Sequence, residues 1–523
     1  METDTHLQPS DLVGCRYRQV QRRRFPNVSA TENSQLRRER LLDARRAVFD
    51  LLPTKPQIGD PQHFLRLDLR PDYPARVNHE DVWQTYLQTL EAIADQANII
   101  TGAVLIGESE GIAWHTELDA LIRRPDGCYL PLLVSNHRVA RPARNAADQA
   151  KTVRMIATAR LGLGQAYKVA TKLKHHSIDS FTLGLAAQAL DSLGVGCRRA
   201  LIIGQSSEQA FVLNTDYFQQ GLTNALRATI PDLPRRVKEC ASCRFVDLCG
   251  EQLRERDDLS LFLSGDRANP FRERGIDTVQ GLIDARLGRP SELAAAWRAH
   301  IPVLAVTEHV DHERFDVEID IDVEAYLDHG AYLWGAYDGD TYHPFVTWEP
   351  LGGQAEGENF ARFWAWLMGR RYAAEQAGQT FGAFCYSAHG ENHWLRFSAR
   401  RFHGKVEGVP SEAEVLAFIQ SGQWHDVFVA VKNNLVGPEG LGLKVVAPAA
   451  GFSWEANDVD GEASVNLYRE AVGLDTHVDA ETSANVRATL LSYNGDDCRA
   501  TAAVRWWLNA GAPGVPLLNT MLH

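Results

Sequence analysis

The sequence predicts an α/β protein of several domains. Three observations carry that expectation: the length of the chain, the alternation of helix-like and strand-like segments in its first half, and a second run of strands followed by helices in its last 220 or so residues. At 523 residues, 45% of them hydrophobic and 23% charged, the chain is too long for one ordinary core and calls for two to four domains.

Leu36, Leu41, Leu42, Val48 and Leu51 recur at helical spacing between Ser34 and Leu52, and Asp81 to Gln96 repeats the pattern. From Ile99 to Val139 the character changes to strands broken by glycine, with the turn signal RPDG between two of them. Helical stretches are expected around Asp148 to Ala170 and Phe181 to Leu193, followed by the strand RALIIG. Such alternation reads as one α/β domain over residues 1–255. Short helices separated by Gly and Pro then read as a connector over residues 256–302. Residues 303–523 open on the strands RFDVEIDIDVEAY and GAYLWGAYDGDTYHPFVTWEP. A helix from Asn359 to Gln376, the strand FGAFCYS and a last helix from near Ser483 complete a second α/β domain.

No run of about 18 apolar residues is present, and the first residues, METDTHLQPSDLVGC, lack a basic segment leading into an apolar one. A cytoplasmic protein without a membrane partner is expected. The formal charge of -13 argues against non-specific coating of nucleic acid. Locally, CRYRQVQRRRF and LRRERLLDARRAVFD are rich in arginine, which is either a solvated helix face or a surface that meets phosphates.

Eight cysteines are too few and too unevenly placed for a disulfide framework. Three of them cluster in KECASCRFVDLCG, as Cys240, Cys243 and Cys249. That C-x2-C-x5-C spacing is one ligand short of a four-thiolate site. Cys128, Cys197, Cys385 and Cys498 lie within expected strands, turns or helices, where a lone cysteine is a small hydrophobe. Cys15, in LVGCRYRQV, is the remaining thiol. One distant N-terminal cysteine joined to a downstream triplet resembles the RecB-like nucleases with an iron–sulfur staple, including CRISPR-associated four-cysteine members and the AddB type. The resemblance implies a restriction-endonuclease-like PD-(D/E)xK fold and makes Cys15, Cys240, Cys243 and Cys249 ligands of a [4Fe-4S] cluster, with zinc as the rival occupant.

That family cuts with a strand-borne Asp and an E-x-K pair about 15 residues on. Asp119 in HTELDALI fits the first place, but Val134 and Asn136 stand where E-x-K should be. Gly184 falls where a glutamine is usual. The N-terminal domain is therefore expected to hold nucleic acid without cutting it.

In RFDVEIDIDVEAY, alternation puts Asp316, Glu318, Asp320, Asp322 and Glu324 on one strand face. Five like charges fit a solvated edge strand or a divalent metal site. Asp426 opens the apolar run in QWHDVFVAV, and Tyr493 and Asp497, four apart in YNGDDCRAT, share one helical face. Together these resemble the DEDD exonucleases of the ribonuclease H-like fold. The order EIDIDVE, GAYLWG, CYSAHGENHWLRF, WHDV, LGLK, YNGDDCRAT is similar to the YprB-type domain, often joined to a four-cysteine RecB-like module. The resemblance implies 3′–5′ hydrolysis of phosphodiesters with Mg²⁺ or Mn²⁺. Asp322, Glu324, Asp426 and Asp497 would hold metal, Asp320 would be a further catalytic acid, Tyr493 would orient water, and Glu391 is an additional candidate. The D-x-E motif occurs at both Asp316/Glu318 and Asp322/Glu324, and the later pair is favoured because catalytic acids usually end their strand. Expected partners are nucleic acid, with single-stranded DNA ahead of RNA, and a helicase or repair protein. A non-catalytic iron–sulfur scaffold that binds nucleic acid is the alternative.

Overall fold

The computed structural model describes residues 6–56, 63–69, 81–135, 137–142, 152–205, 207–307, 314–327, 329–455, 461–474 and 479–522. The chain divides into two compact units, Met1–Asn269 and Pro270–His523. The helices expected as a free connector, Val279–Asp284 and Arg289–Arg298, belong to the second unit. Ala296 packs there with Leu304 and Val436, so burial of one apolar stripe moves the boundary. Among the described residues, no helix is long and apolar enough to cross a membrane.

The first unit is built on a nine-stranded mixed sheet. Its spatial order is Arg66–Asp68, Ile99–Thr101, Ala120–Arg123, Tyr129–Val134, Arg199–Ile203, Gln209–Asn214, Thr152–Ala157, Tyr167–Leu173, Ala140–Pro142. Helix α1 (Glu32–Leu51) and helix α2 (Ser177–Ser192) pack on it. Val48 of α1 lies in one apolar cluster with Ile122, Leu132 and Leu201, and Leu183 and Leu190 of α2 lie in another with Ile100 and Leu121.

The helix expected around Asp148 to Ala170 is instead an antiparallel pair, Thr152–Ala157 with Tyr167–Leu173. The β-branched residues Thr152, Val153 and Ile156 favour that state, and Gly162 at φ +74° turns the chain between the two strands.

In the second unit, five strands form a sheet in the order β3-β2-β1-β4-β5. They are β1 (Val317–Tyr326), β2 (Gly330–Tyr337), β3 (Tyr342–Val346), β4 (Phe381–Cys385) and β5 (Trp424–Asp426). β1 to β3 form an antiparallel meander, and β4 and β5 run parallel to β1. The acidic strand is thus the centre of the sheet, and the solvated-edge reading is overturned.

One face of this sheet packs on α3 (Gln354–Gln376) and α4 (His389–Phe402), through Ile319, Ile321, Trp334, Phe360, Phe363 and Leu395. The acidic face meets the last helix. α5 (Val427–Asn434) follows β5, α6 (Gly461–Ala471) packs on the last helix, and α7 (Ala480–Asn509) lies across β1 and β2. That contact is close. A Cβ at Gly335, opposite Asp322 on β2, would stand 1.9 Å from the Asn494 side chain of α7, so only glycine fits.

Candidate active site

Strand period and helix period together assemble the site. β1 presents Asp322 and Glu324 on the face that α7 covers, and α7 returns Asp497. The carboxylate oxygens of these three residues all lie within 4.8 Å of one another, the one such group of three or more His, Cys, Asp or Glu ligands among the described residues.

Each acid is held by a neutral donor. The Asn494 amide donates to Asp322 Oδ2 at 2.6 Å, and its own oxygen accepts from the Tyr342 hydroxyl at 2.6 Å. The Trp454 indole donates to Asp497 Oδ1 at 2.7 Å, and the Tyr493 hydroxyl, one turn back on α7, also bonds Asp497. Ser464 of α6 bonds Glu324. Lys444 lies 5.1 Å from the Tyr493 ring centre, and its positive charge acts on Glu324 and Asp497.

Neutral donors do not cancel charge. Burial, and then the neighbouring acids, raise Asp322 well above the usual carboxylate range and push Glu324 up to about 8. Burial also raises Asp497. Glu391, in the first turn of α4, is 7% exposed; burial, then the charge of Asp426, pushes it to about 7. Its negative charge acts on Asp322 and Glu324, and its Oε2 has no hydrogen-bond partner among the described residues. An orphaned carboxylate oxygen beside three converging acids fits a divalent cation held by hard oxygen ligands.

The remaining acids in and just before β1 go elsewhere. Asp320, 0% exposed, receives a two-pronged contact from Arg505 of α7, with Nε to Oδ1 at 3.2 Å and the second nitrogen to Oδ2 at 2.8 Å. Arg505 also bonds Glu318. Burial pushes Asp320 to about 6 against that pull, and Arg505 is held more firmly charged, so the pair is ionic at neutral pH. Asp320 is thus a structural ion pair, which departs from the role expected of it. Asp316 accepts from the Thr380 backbone and hydroxyl, both at 2.8 Å. Of the two D-x-E pairs, only Asp322/Glu324 reaches Asp497.

Asp426 stands outside the three-acid group. Its oxygens accept the backbone N–H groups of Ser387 at 2.8 Å, Ala388 at 3.0 Å and Phe428 at 3.0 Å. It caps α5 and pins the turn from which α4, and hence Glu391, begins. An aspartate at the end of a strand serves equally well as ligand or cap, and its sequence does not distinguish the two.

In the first unit, Asp119 is buried, and Arg45 of α1 reaches its Oδ1 at 2.7 Å while the Val134 N–H donates to its Oδ2 at 2.5 Å. The position expected for the family's glutamate thus meets Asp119 with only a backbone amide. Asn136 lies outside the described residues. Gly184 sits in α2 beside Leu222, 3.2 Å from where a Cβ would stand.

Cys15, Cys240, Cys243 and Cys249 are free thiols. Burial raises the pKa of Cys15, Cys240 and Cys249. The charges of Cys15 and Cys243 each raise both Cys240 and Cys249, so the four residues share one place. The Gln21 amide donates to Cys249 Sγ at 3.2 Å and the Val237 N–H to Cys240 Sγ at 3.4 Å. Four thiols gathered in this way would, once deprotonated, make a donor set suited to a soft metal or cluster.

A model of the RNase H superfamily matches residues 321–509, from β1 to the end of α7. The second unit therefore carries an RNase H-like domain, and its acidic cluster agrees with metal-dependent nuclease chemistry on nucleic acid. No curated protein matches the chain.

Proposed function

We propose that the second unit is a 3′–5′ exonuclease acting on single-stranded DNA in repair or processing, and that the first unit holds the strand without cutting it. The convergence of Asp322, Glu324 and Asp497 within 4.8 Å carries this reading. Those three residues would hold Mg²⁺ or Mn²⁺, with Glu391 as a fourth acid, and Asp426 keeps Glu391 in place through the turn it caps. A bound divalent ion supplies charge for the oxyanion that develops at phosphorus. Tyr493, with its hydroxyl on Asp497, is placed to orient the attacking water. Arg505 holds β1 to α7 and takes no part in the chemistry.

The experiment uses single strands labelled at either end. With Mn²⁺, a 5′ label should give a descending ladder and a 3′ label should give mononucleotide at once. The reverse pattern overturns the polarity, and intact strand in Mn²⁺ and in Mg²⁺ overturns the activity and leaves the binding-only scaffold.

For the first unit, the proposed cofactor is a [4Fe-4S] cluster on Cys15, Cys240, Cys243 and Cys249. What supports the proposal is the gathering of the four cysteines in one place, and zinc is the rival occupant. Anaerobically purified chain should carry iron and absorb near about 400 nm. Stoichiometric zinc in colourless protein sinks the assignment.

A further inference from the structure

A cavity of about 540 Å³ opens on the first unit's sheet, and neither Asp119 nor any of the four clustered cysteines lines it. Its floor is aliphatic: Ile122, Leu130, Ile156 and Leu201 come from four different strands and belong to one apolar cluster. Its rim is cationic. Arg123, Arg124, Arg154 and Arg199 line it against a single carboxylate, Asp126, which Arg124 already pairs at 2.7 Å. Arg123 donates to a neutral group, the Gln96 oxygen at 3.0 Å, and has no ion-pair partner among the described residues. Arg154 and Arg199 are exposed and have no ion-pair partner among the described residues. In a chain of net charge -13, three arginines uncompensated around one apolar slot are a local reversal of sign.

We infer that this cavity binds a nucleoside phosphate, with the base and sugar on the aliphatic floor and the phosphate on the arginine rim. The volume lies within the range of about 300–1,000 Å³ for small-ligand sites and suits one nucleotide. Guanidinium is the side chain best matched to phosphate oxygens, by charge and by its forked donors, and an apolar slot takes an unstacked base of any identity. An acidic peptide would satisfy the rim but leave the floor uncovered. The ligand's source is either a free mononucleotide or an unstacked unit of a bound strand, and both present the same chemistry. The inference is independent of the metal site on the second unit.

The test titrates the full chain with dTMP and with a nuclease-resistant phosphorothioate thymidylate dodecamer, followed by calorimetry, for wild type and for R154E/R199E. Both side chains are exposed, so the double change removes no packing. Charge reversal should weaken binding by about tenfold or more and flatten its salt dependence, while R154K/R199K retains most of it. Weakening for both ligands assigns the site to free and strand-borne nucleotide alike, and weakening for the dodecamer with no dTMP binding assigns it to the strand. Unchanged affinity for both ligands overturns the inference, as does a hexaglutamate peptide that competes as well as dTMP. Mn²⁺-dependent hydrolysis of bis(p-nitrophenyl) phosphate, a substrate too small to need the cavity, should be equal in all variants and reads the metal site separately.

Discussion

Asp119, at the entry to a strand of the first unit, and Asp322, within β1 of the second, are both carboxylates set against a helix, and the difference between them is a cation. Arg45 stands 2.7 Å from Asp119, so that charge is matched within the fold. Asp322 meets an asparagine amide and the negative charges of Asp497, Glu324 and Glu391. Two residues earlier on the same strand, Asp320 repeats the Asp119 solution with Arg505. Buried charge is costly unless it is paired. A fold that supplies arginines at two acids and leaves four others facing one another, with Lys444 the cation that acts on Glu324 and Asp497 among the described residues, has a deficit that an external cation would fill.

The comparison breaks first at the acids themselves. Asp322→Asn and Asp497→Asn should each lower Mn²⁺-dependent kcat by about a thousandfold, the upper end of the scale of removing a charge-stabilising group. Strand binding should remain near wild type, because size and packing are kept. Tyr493→Phe removes one hydroxyl and should be milder, at about ten- to a thousandfold. Single-turnover cleavage of a labelled strand checks all three, and full activity in either Asp variant defeats the metal assignment.

A smaller effect, on affinity and stability, comes from protons. Glu324 near 8 and Glu391 near 7 are raised above their ordinary value, so between about pH 4.5 and 8 the folded, metal-free chain binds more protons than the unfolded one. The sign of linkage then makes these groups a source of stability at low pH that is lost as pH rises through 7 and 8. Metal must displace the same protons, so Mn²⁺ should bind more tightly at pH 8 than at pH 6. At a hundred times its dissociation constant it should add about 2.7 kcal/mol to stability. Thermal melts with and without Mn²⁺ at the two pH values check this; a Mn²⁺ shift that shrinks as pH rises contradicts it.

Much of this arrangement is legible in the chain. The period-2 acids and the four-residue step from Tyr493 to Asp497 define one face each, and those faces meet. What periodicity cannot say is which of five acids on one strand face receives a cation from within. Arg505, eight residues beyond Asp497, decides that by reaching Asp320 and Glu318, and its long-range contact leaves no local signal. Trp454 and Ser464 come from segments with no motif of their own, and Lys444 closes LGLK, a motif that by itself does not tell which acids the lysine meets. Asn494 was visible within YNGDDCRAT, yet its amide role follows only from Gly335 admitting α7 so closely. Asp426 looked like a ligand because a strand-ending aspartate before an apolar helix has one sequence and two uses. The pair Thr152–Ala157 and Tyr167–Leu173 was misread as helix because its apolar residues are sparse enough to fit either period.

The smallest effect on hydrolysis is expected at Asp119. If Arg45 has taken the place of a cation, removing the carboxylate should leave cleavage untouched and harm the fold instead. Asp119→Asn removes the carboxylate 2.7 Å from a guanidinium that is 17% exposed and loses the better acceptor for the Val134 amide, a cost of about 3 kcal/mol by the usual measure of a broken buried pair. The first unit should therefore melt earlier, while the rate of Mn²⁺-dependent cleavage per folded molecule stays within about twofold of wild type. Asp119→Asn/Arg45→Met, which removes both charges at once, should recover much of the lost stability, as matched apolar replacements of buried pairs do. A fall in cleavage like that of Asp497→Asn, in protein that still melts as wild type, would instead make Asp119 part of a working centre and erase the contrast between the two units.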